Sequence, residues 1–144
     1  FTAEDFAKSH PGGKLGKKLT LRVKDLMTPI SKTASVKKTD TLSDLIVEVS
    51  SKKQGLAVIT DKKNVIGVFS DGDLRRCLQK NKDIKKVLVG EVMTRKFKTI
   101  SSDKLVIQAA NMMSELKIFN LLVKDSEKIK GIISMHDILE ANVL

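Results

Sequence analysis

Val65-Ile66-Gly67-Val68-Phe69-Ser70-Asp71-Gly72-Asp73-Leu74-Arg75-Arg76 is the stretch on which the reading of this chain turns. Val65 to Phe69 is a short apolar run rich in β-branched residues, the pattern of a buried strand. Ser70 stands where an N-cap belongs, and Asp73 follows three residues later. Ser-x-x-Asp ahead of Leu74, Cys77 and Leu78 is a capping-box pattern, so the strand is predicted to run straight into a helix. The phrase returns at Ile129-Lys130-Gly131-Ile132-Ile133-Ser134-Met135-His136-Asp137-Ile138-Leu139. Gly67 matches Gly131, Ser70 matches Ser134 and Asp73 matches Asp137, all at one offset. A constant offset across three marker residues indicates an internal duplication.

The flanking segments repeat as well. Asp25-Leu26-Met27-Thr28 is echoed by Glu91-Val92-Met93-Thr94. In the first copy, a short strand is predicted over 33–36 and a helix capped by Asp40 or Thr41 carries Leu42, Leu45, Ile46 and Val49 on one face. Strands at 56–59 and 65–69 flank the polar turn Asp61-Lys62-Lys63-Asn64, which predicts a hairpin. In the second copy, a strand at 97–100 precedes a helix bearing Leu105, Ala109, Met112, Met113 and Leu116. Strands at 119–123 and 129–133 follow, then a last helix over 134–143. The expected fold is mixed α/β (α+β), with two pseudo-symmetric repeats of strand-helix-strand-strand-helix packed together. Neither repeat alone can bury both faces of so small a sheet. The predicted divisions are a linker at 1–23, one repeat at 24–80 and another at 81–144. In the linker, Thr2 caps a short helix, Ser9-His10-Pro11-Gly12-Gly13 breaks it, and Leu15, Leu19 and Val23 suggest another helical piece.

Apolar residues make up 41% of the 144, which predicts a packed core rather than disorder. No apolar run approaches the roughly 20 residues of a membrane span. Glu4 and Asp5 stand where a secretory leader would carry basic residues, and the single Cys77 excludes an internal disulfide. A cytoplasmic location without membrane attachment is therefore expected. His10, His136 and Cys77 lack ligand spacing, so no metal site is expected. Met112, Met113 and Met135 read as filler of core or cleft. The net charge of +10 invites a nucleic-acid reading, but nine basic against three acidic residues place +6 of it in residues 1–38. The chain has no Trp or Tyr to stack on bases, and its lysines alternate with apolar positions. Nucleic acid is not an expected partner.

The repeated phrase has its own chemistry. A helix start offers unpaired N–H groups and partial positive charge to a phosphate, and a Ser hydroxyl adds a donor. A carboxylate accepts two hydrogen bonds, which suits the vicinal hydroxyls of a ribose. Ser70 with Asp73, and Ser134 with Asp137, are thus candidate grips for a nucleotide. Arg75 and Arg76 can add charge at the first site, while the second has no such pair after Asp137. His136 is placed to touch a ligand there. Ser-x-x-Asp is also a helix cap by itself, and capping is compatible with binding.

Two Gly-h-h-Ser-x-x-Asp phrases in such repeats resemble a tandem pair of cystathionine-β-synthase-type domains, a CBS pair or Bateman module. The resemblance covers about residues 24 to 143. It implies adenosyl or other nucleotide ligands in clefts between the two repeats, and regulation of an attached enzyme or transporter. Ser stands here where the family often has Thr, which keeps the hydroxyl. Phe1-Thr2-Ala3-Glu4-Asp5-Phe6-Ala7-Lys8-Ser9-His10-Pro11-Gly12-Gly13, with Leu15-Gly16, Asp25-Leu26-Met27 and the 70–76 run, resembles bacterial D-arabinose 5-phosphate isomerases. In that family a sugar-isomerase domain precedes the CBS pair and interconverts ribulose 5-phosphate and arabinose 5-phosphate for synthesis of Kdo, an acidic sugar of lipopolysaccharide and some capsules. Lys14 departs from the small or apolar residue usual there. The resemblance links His10 to the isomerase active site, a catalytic role only beside that domain.

Isomerisation needs a base to move a proton between adjacent carbons and a grip on phosphate. His10 alone supplies neither. The chain is therefore expected to be the regulatory half of such an isomerase and inactive alone; measurable ribulose 5-phosphate turnover by it would refute this. No cofactor is required. The expected regulatory ligand is AMP- or ATP-like, or the pathway product CMP-Kdo. The expected assembly is a homodimer of CBS pairs, tetrameric in the parent enzyme, through helix faces bearing Leu74, Leu78 and Ile138. The alternative function is a purely structural oligomerisation module or, less favoured, a nucleic-acid-binding domain.

Overall fold

A computed structural model describes residues 20–52, 55–80 and 82–141. The proposed linker helices, Lys14 and His10 lie outside the described residues. The described chain contains α1 (Val23–Leu26), β1 (Thr28–Pro29), a 3₁₀ turn (Ile30–Lys32), β2 (Ser35–Lys37), α2 (Leu42–Lys52), β3 (Leu56–Asp61), β4 (Asn64–Ser70) and α3 (Asp71–Gln79). It continues with α4 (Val89–Val92), β5 (Thr99–Ile100), α5 (Val106–Leu116), β6 (Asn120–Asp125), β7 (Lys128–Ser134) and α6 (Met135–Glu140). The strand-helix-strand-strand-helix order is present twice, as the duplication predicts.

The strands form two sheets, of order β2-β3-β4 and β1-β7-β6-β5. Each sheet holds one parallel pairing and one antiparallel hairpin of the same kind, and the four-stranded sheet adds the antiparallel β1–β7 pairing. β2 runs parallel to β3, and β5 parallel to β6. Parallel neighbours require a crossover, which α2 and α5 provide. β3–β4 and β6–β7 are antiparallel hairpins. Their two-residue turns place Lys62 and Lys63 (φ 50° and 70°), and Ser126 and Glu127 (φ 48° and 67°), in the left-handed region. That backbone matches strand twist, even though neither turn has the Asn-Gly that takes it most easily. Both hairpins carry a register shift at the same place, Ile59/Thr60 and Val123/Lys124.

The chain divides into two compact units whose boundaries differ from those of the sequence repeats. One, the three-stranded unit, is Ile30–Phe97. The other, the four-stranded unit, joins the residues up to Pro29 to those from Lys98 onward. The core of the three-stranded unit gathers Val36, Leu42, Leu45, Ile59, Phe69 and Cys77 with Val89 from α4. The core of the four-stranded unit gathers Val106, Met113, Leu121, Val123, Ile133 and Ile138 with Val23 from α1. Each unit is thus completed by the short helix that precedes the other repeat. Cys77 is a small buried hydrophobe, as expected. Met113 is core and Met112 and Met135 pack at its edge.

Ile138 corrects one expectation: it is fully buried rather than on an open helix face, and Leu139 is the exposed residue of α6 at 56%. Six residues give α6 fewer than two turns, too few to define an apolar stripe from sequence. Leu78 is exposed as expected, and Leu74 is partly buried against the core. No described helix is long and apolar enough to cross a membrane.

The arms after α1 and α4 lie tightly over glycines. Thr28 pairs with Ile132 and Pro29 with Gly131. Val68 and Thr94 exchange backbone hydrogen bonds of 2.9 and 2.8 Å. A Cβ on Gly131 would sit 2.3 Å from the Thr28 carbonyl oxygen; one on Gly67 would meet the Met93 sulfur at 2.6 Å and the Thr94 oxygen at 3.0 Å. Backbone cannot retreat as a Met side chain can. Gly131→Ala should therefore cost roughly 3 kcal/mol in urea unfolding and Gly67→Ala only about 1, within the range for overpacking. Equal losses would contradict this packing.

One half-buried carboxylate reports on a loop of the four-stranded unit. Asp125 accepts the Ser102 amide at 3.1 Å and the Ser101 hydroxyl at 3.2 Å. Hydrogen bonds from Ser102, then Ser101, with Lys130 nearby, hold its carboxyl below the ordinary 3.8. A lowered pKa contributes stability above the ordinary value and loses it as pH falls through the folded value. Asp125→Asn should lower the urea midpoint at neutral pH, and the difference from the parent should close under acid.

Candidate functional site

β4 delivers Ser70 to the start of α3. Its hydroxyl accepts the Asp73 amide at 3.3 Å, and Asp73 reaches back to the Ser70 amide at 2.9 Å, a reciprocal capping box. The Asp73 carboxylate does more than cap. It also accepts the Ser70 hydroxyl at 3.1 Å, the Arg76 guanidinium, and the Thr94 hydroxyl at 3.2 and 3.3 Å to its two oxygens. Four donor groups on two oxygens fill its lone pairs. Asp73 is buried, at 8% exposure. Arg76 spans the outside of this cluster, and Arg75 is exposed. A ribose can reach the Asp73 oxygens only by displacing Thr94 or Arg76.

The second copy is built differently. Ser134 accepts the Asp137 amide at 3.1 Å and so caps α6. Among the described residues, no side chain hydrogen-bonds the Asp137 carboxylate, and both residues are half-buried. The position matching Arg76 is Glu140, which cannot donate. It takes the His136 Nε2 at 3.0 Å instead, both side chains being exposed. Thr28 occupies the position of Thr94 and lies over Gly131, without the hydroxyl bond that closes the first site.

The structure thus brings together Ser70, Asp73 and Arg76 in one unit and Ser134 with Asp137 in the other, while His136 pairs with Glu140 and Arg75 stays exposed. Thr94 is the residue the motif reading passed over. Its signal was present in the Met-Thr echo, which marks repeat starts and also the arms that reach the Ser-x-x-Asp sites. Among the described residues, no cluster of three His, Cys, Asp or Glu side chains could hold a metal.

Two duplicated strand-to-helix junctions, each covered by an arm from the other repeat's start, define a paired α/β module. The CBS domain family model matches residues 23–80 and 89–143, and the chain belongs to that family as a tandem pair. The chain is 42% identical over its whole length to the arabinose 5-phosphate isomerase KdsD of Escherichia coli K12, of which it spans 44%. The corresponding isomerase of Pseudomonas aeruginosa is 39% identical, with 45% of its length spanned. Among solved structures, an uncharacterised conserved protein from Pyrococcus horikoshii aligns with TM-score 0.78 and 26% identity over 86% of this chain and 93% of that one. CBSX2, solved in complex with AMP, aligns with TM-score 0.71 and 26% identity over 85% and 96%.

The two aspartates should differ in cost. Asp73→Ala strands the Ser70 amide and Thr94 hydroxyl and removes a cap, a loss of about 2–3 kcal/mol in chemical denaturation. Asp137→Ala removes a carboxylate with no side-chain partner among the described residues and should fall within about 0.5 kcal/mol of the parent. Similar losses at both positions would contradict the described asymmetry.

Proposed function

We propose that this chain is the regulatory module of an arabinose 5-phosphate isomerase and senses a nucleotide or nucleotide-sugar. The observation that carries the reading is the Ser134/Asp137 pair, a capped hydroxyl beside a carboxylate that no described side chain occupies. An unfilled carboxylate is free to accept the two hydroxyls of a ribose. The family membership, the similarity of this chain to 44% of KdsD and the AMP complex of CBSX2 support it. On this reading 1–23 is the linker to an isomerase domain, 24–80 and 81–144 are the sequence repeats, His10 serves the isomerase site, and the protein works in the cytoplasm. Ser70 and Asp73 form a second site that opens only when a ligand breaks the Thr94 or Arg76 contact. AMP, ATP and the CMP-activated sugar product are the ligands to try first.

A second reading, a structural module that pairs with itself, is favoured by Phe119, Val47, Leu139 and Leu78, all exposed by more than half. The two readings are compatible in a homodimer and separable by ligand. A thermal shift against AMP, ATP and CMP-sugars should stabilise the chain, by about 2.7 kcal/mol at 100 times the dissociation constant. Asp137→Ala should remove most of the shift, leaving only what the Ser70/Asp73 site contributes. Stability untouched by every nucleotide would leave only the structural role.

A further inference from the structure

The four-stranded unit holds a groove of about 460 Å³ between its edge strand β5 and α5. Ile100 and Met112 form its apolar wall; Thr99, Gln108, Lys104 and Lys124 supply polar groups. The Ser101 end of the wall is fixed by the Asp125 hydrogen bonds. The groove lies away from the Ser134/Asp137 pair, and none of those site residues lines it. Lys124 has a loose partner, Glu127, at 3.5 Å with that carboxylate 93% exposed. Such an exposed pair holds the ammonium weakly. Lys104 is exposed, with no partner among the described residues.

The internal duplicate provides the control. Strand registers align Ile100 with Val36 and Lys124 with Thr60. The helix starts at Leu42 and Val106 then align Lys104 with Asp40, Gln108 with Asp44 and Met112 with Glu48. Where the three-stranded unit has three carboxylates, the four-stranded unit has an ammonium, an amide and a thioether, and it adds a second ammonium. The fold therefore does not require lysines at these places. Gln108 keeps one structural duty, since its side-chain oxygen takes the Leu105 amide at 2.9 Å as Asp44 takes the Thr41 amide at 3.0 Å. Its amide nitrogen is left over as a donor.

We propose that this groove binds a small anion bearing a phosphate or carboxylate, held between Lys104 and Lys124 with the Gln108 amide as donor and its carbon part against Ile100 and Met112. The volume suits a ligand of metabolite size. The three-stranded unit, with Asp40, Asp44 and Glu48 in the corresponding places, repels the same anion.

The probe is inorganic pyrophosphate, titrated into the chain at low salt and followed by amide chemical shifts and calorimetry. Shifts should centre on Ser101, Lys104, Gln108 and Lys124, and binding should weaken as salt rises. Lys104→Asp with Gln108→Asp copies the pattern the duplicate already carries, including the reach-back cap, so this variant should fold. It should bind at least about tenfold more weakly, a difference of about 1.4 kcal/mol. Ser134→Ala with Asp137→Ala should leave pyrophosphate binding unchanged, which separates this groove from the nucleotide site. Shifts spread evenly over surface lysines, shifts centred on Ser134, no binding, or unchanged affinity in the Asp variant would each overturn the proposal.

Discussion

The close approach of the Met-Thr arms to a glycine in the adjoining strand is the constraint on which each unit depends. At Gly131 the Thr28 carbonyl lies where any side chain would begin, and at Gly67 Met93 and Thr94 fill the same space. That approach lets Val23 and Val89 drop fully buried into cores made mostly of later or earlier sequence. Small sheets of three and four strands cannot bury a core by themselves, and a helix of four residues has almost no intrinsic stability. The arm and the sheet stabilise one another. The arrangement also places a threonine beside each strand-to-helix junction, which ties the packing to the site.

From that shared frame the two sites diverge through a substitution of charge and the presence or absence of a threonine hydroxyl bond. Arg76 closes over Asp73, and Glu140 in the matching place cannot close over Asp137. The first aspartate becomes part of the fold, holding α3, the arm and a surface arginine together. The second donates its amide to the capping Ser134 hydroxyl, and among the described residues no side chain bonds its carboxylate. The two copies thus differ in what the aspartate contributes to the fold. The groove beside α5 shows the same divergence in a different place, with carboxylates in one copy replaced by uncharged and cationic side chains in the other.

Much of this was legible in the sequence because local and global signals agree. The β-branched runs at 56–59, 65–69 and 129–133 became paired strands, and Ser70 and Ser134 became caps. The edge strands β2 and β5 are shorter than their patterns suggest, because an edge has one neighbour and pairing decides its length. The exchange of arms was not legible. Sequence order assigns Asp25-Leu26-Met27-Thr28 to the repeat that follows it, and only the register of Thr28 with Ile132 shows the residue serving the other unit. The closure of Asp73 was hidden for the same reason: Thr94 is distant in sequence and its partner is known only once the arm is placed. Ile138 was misplaced because a helix of six residues carries too little periodicity to name its buried face.

Native-state hydrogen exchange tests the arm-over-glycine constraint most directly. The Val68 and Thr94 amides, which bond each other's carbonyls, should exchange as slowly as the central strand β3, because losing the arm uncovers the Val89 core. The Ile132 amide opposite Thr28 should behave like its neighbours in β6. Exchange of the Val68 and Thr94 amides at loop rates, with β3 still protected, would show the arms to be loosely attached and would contradict the account.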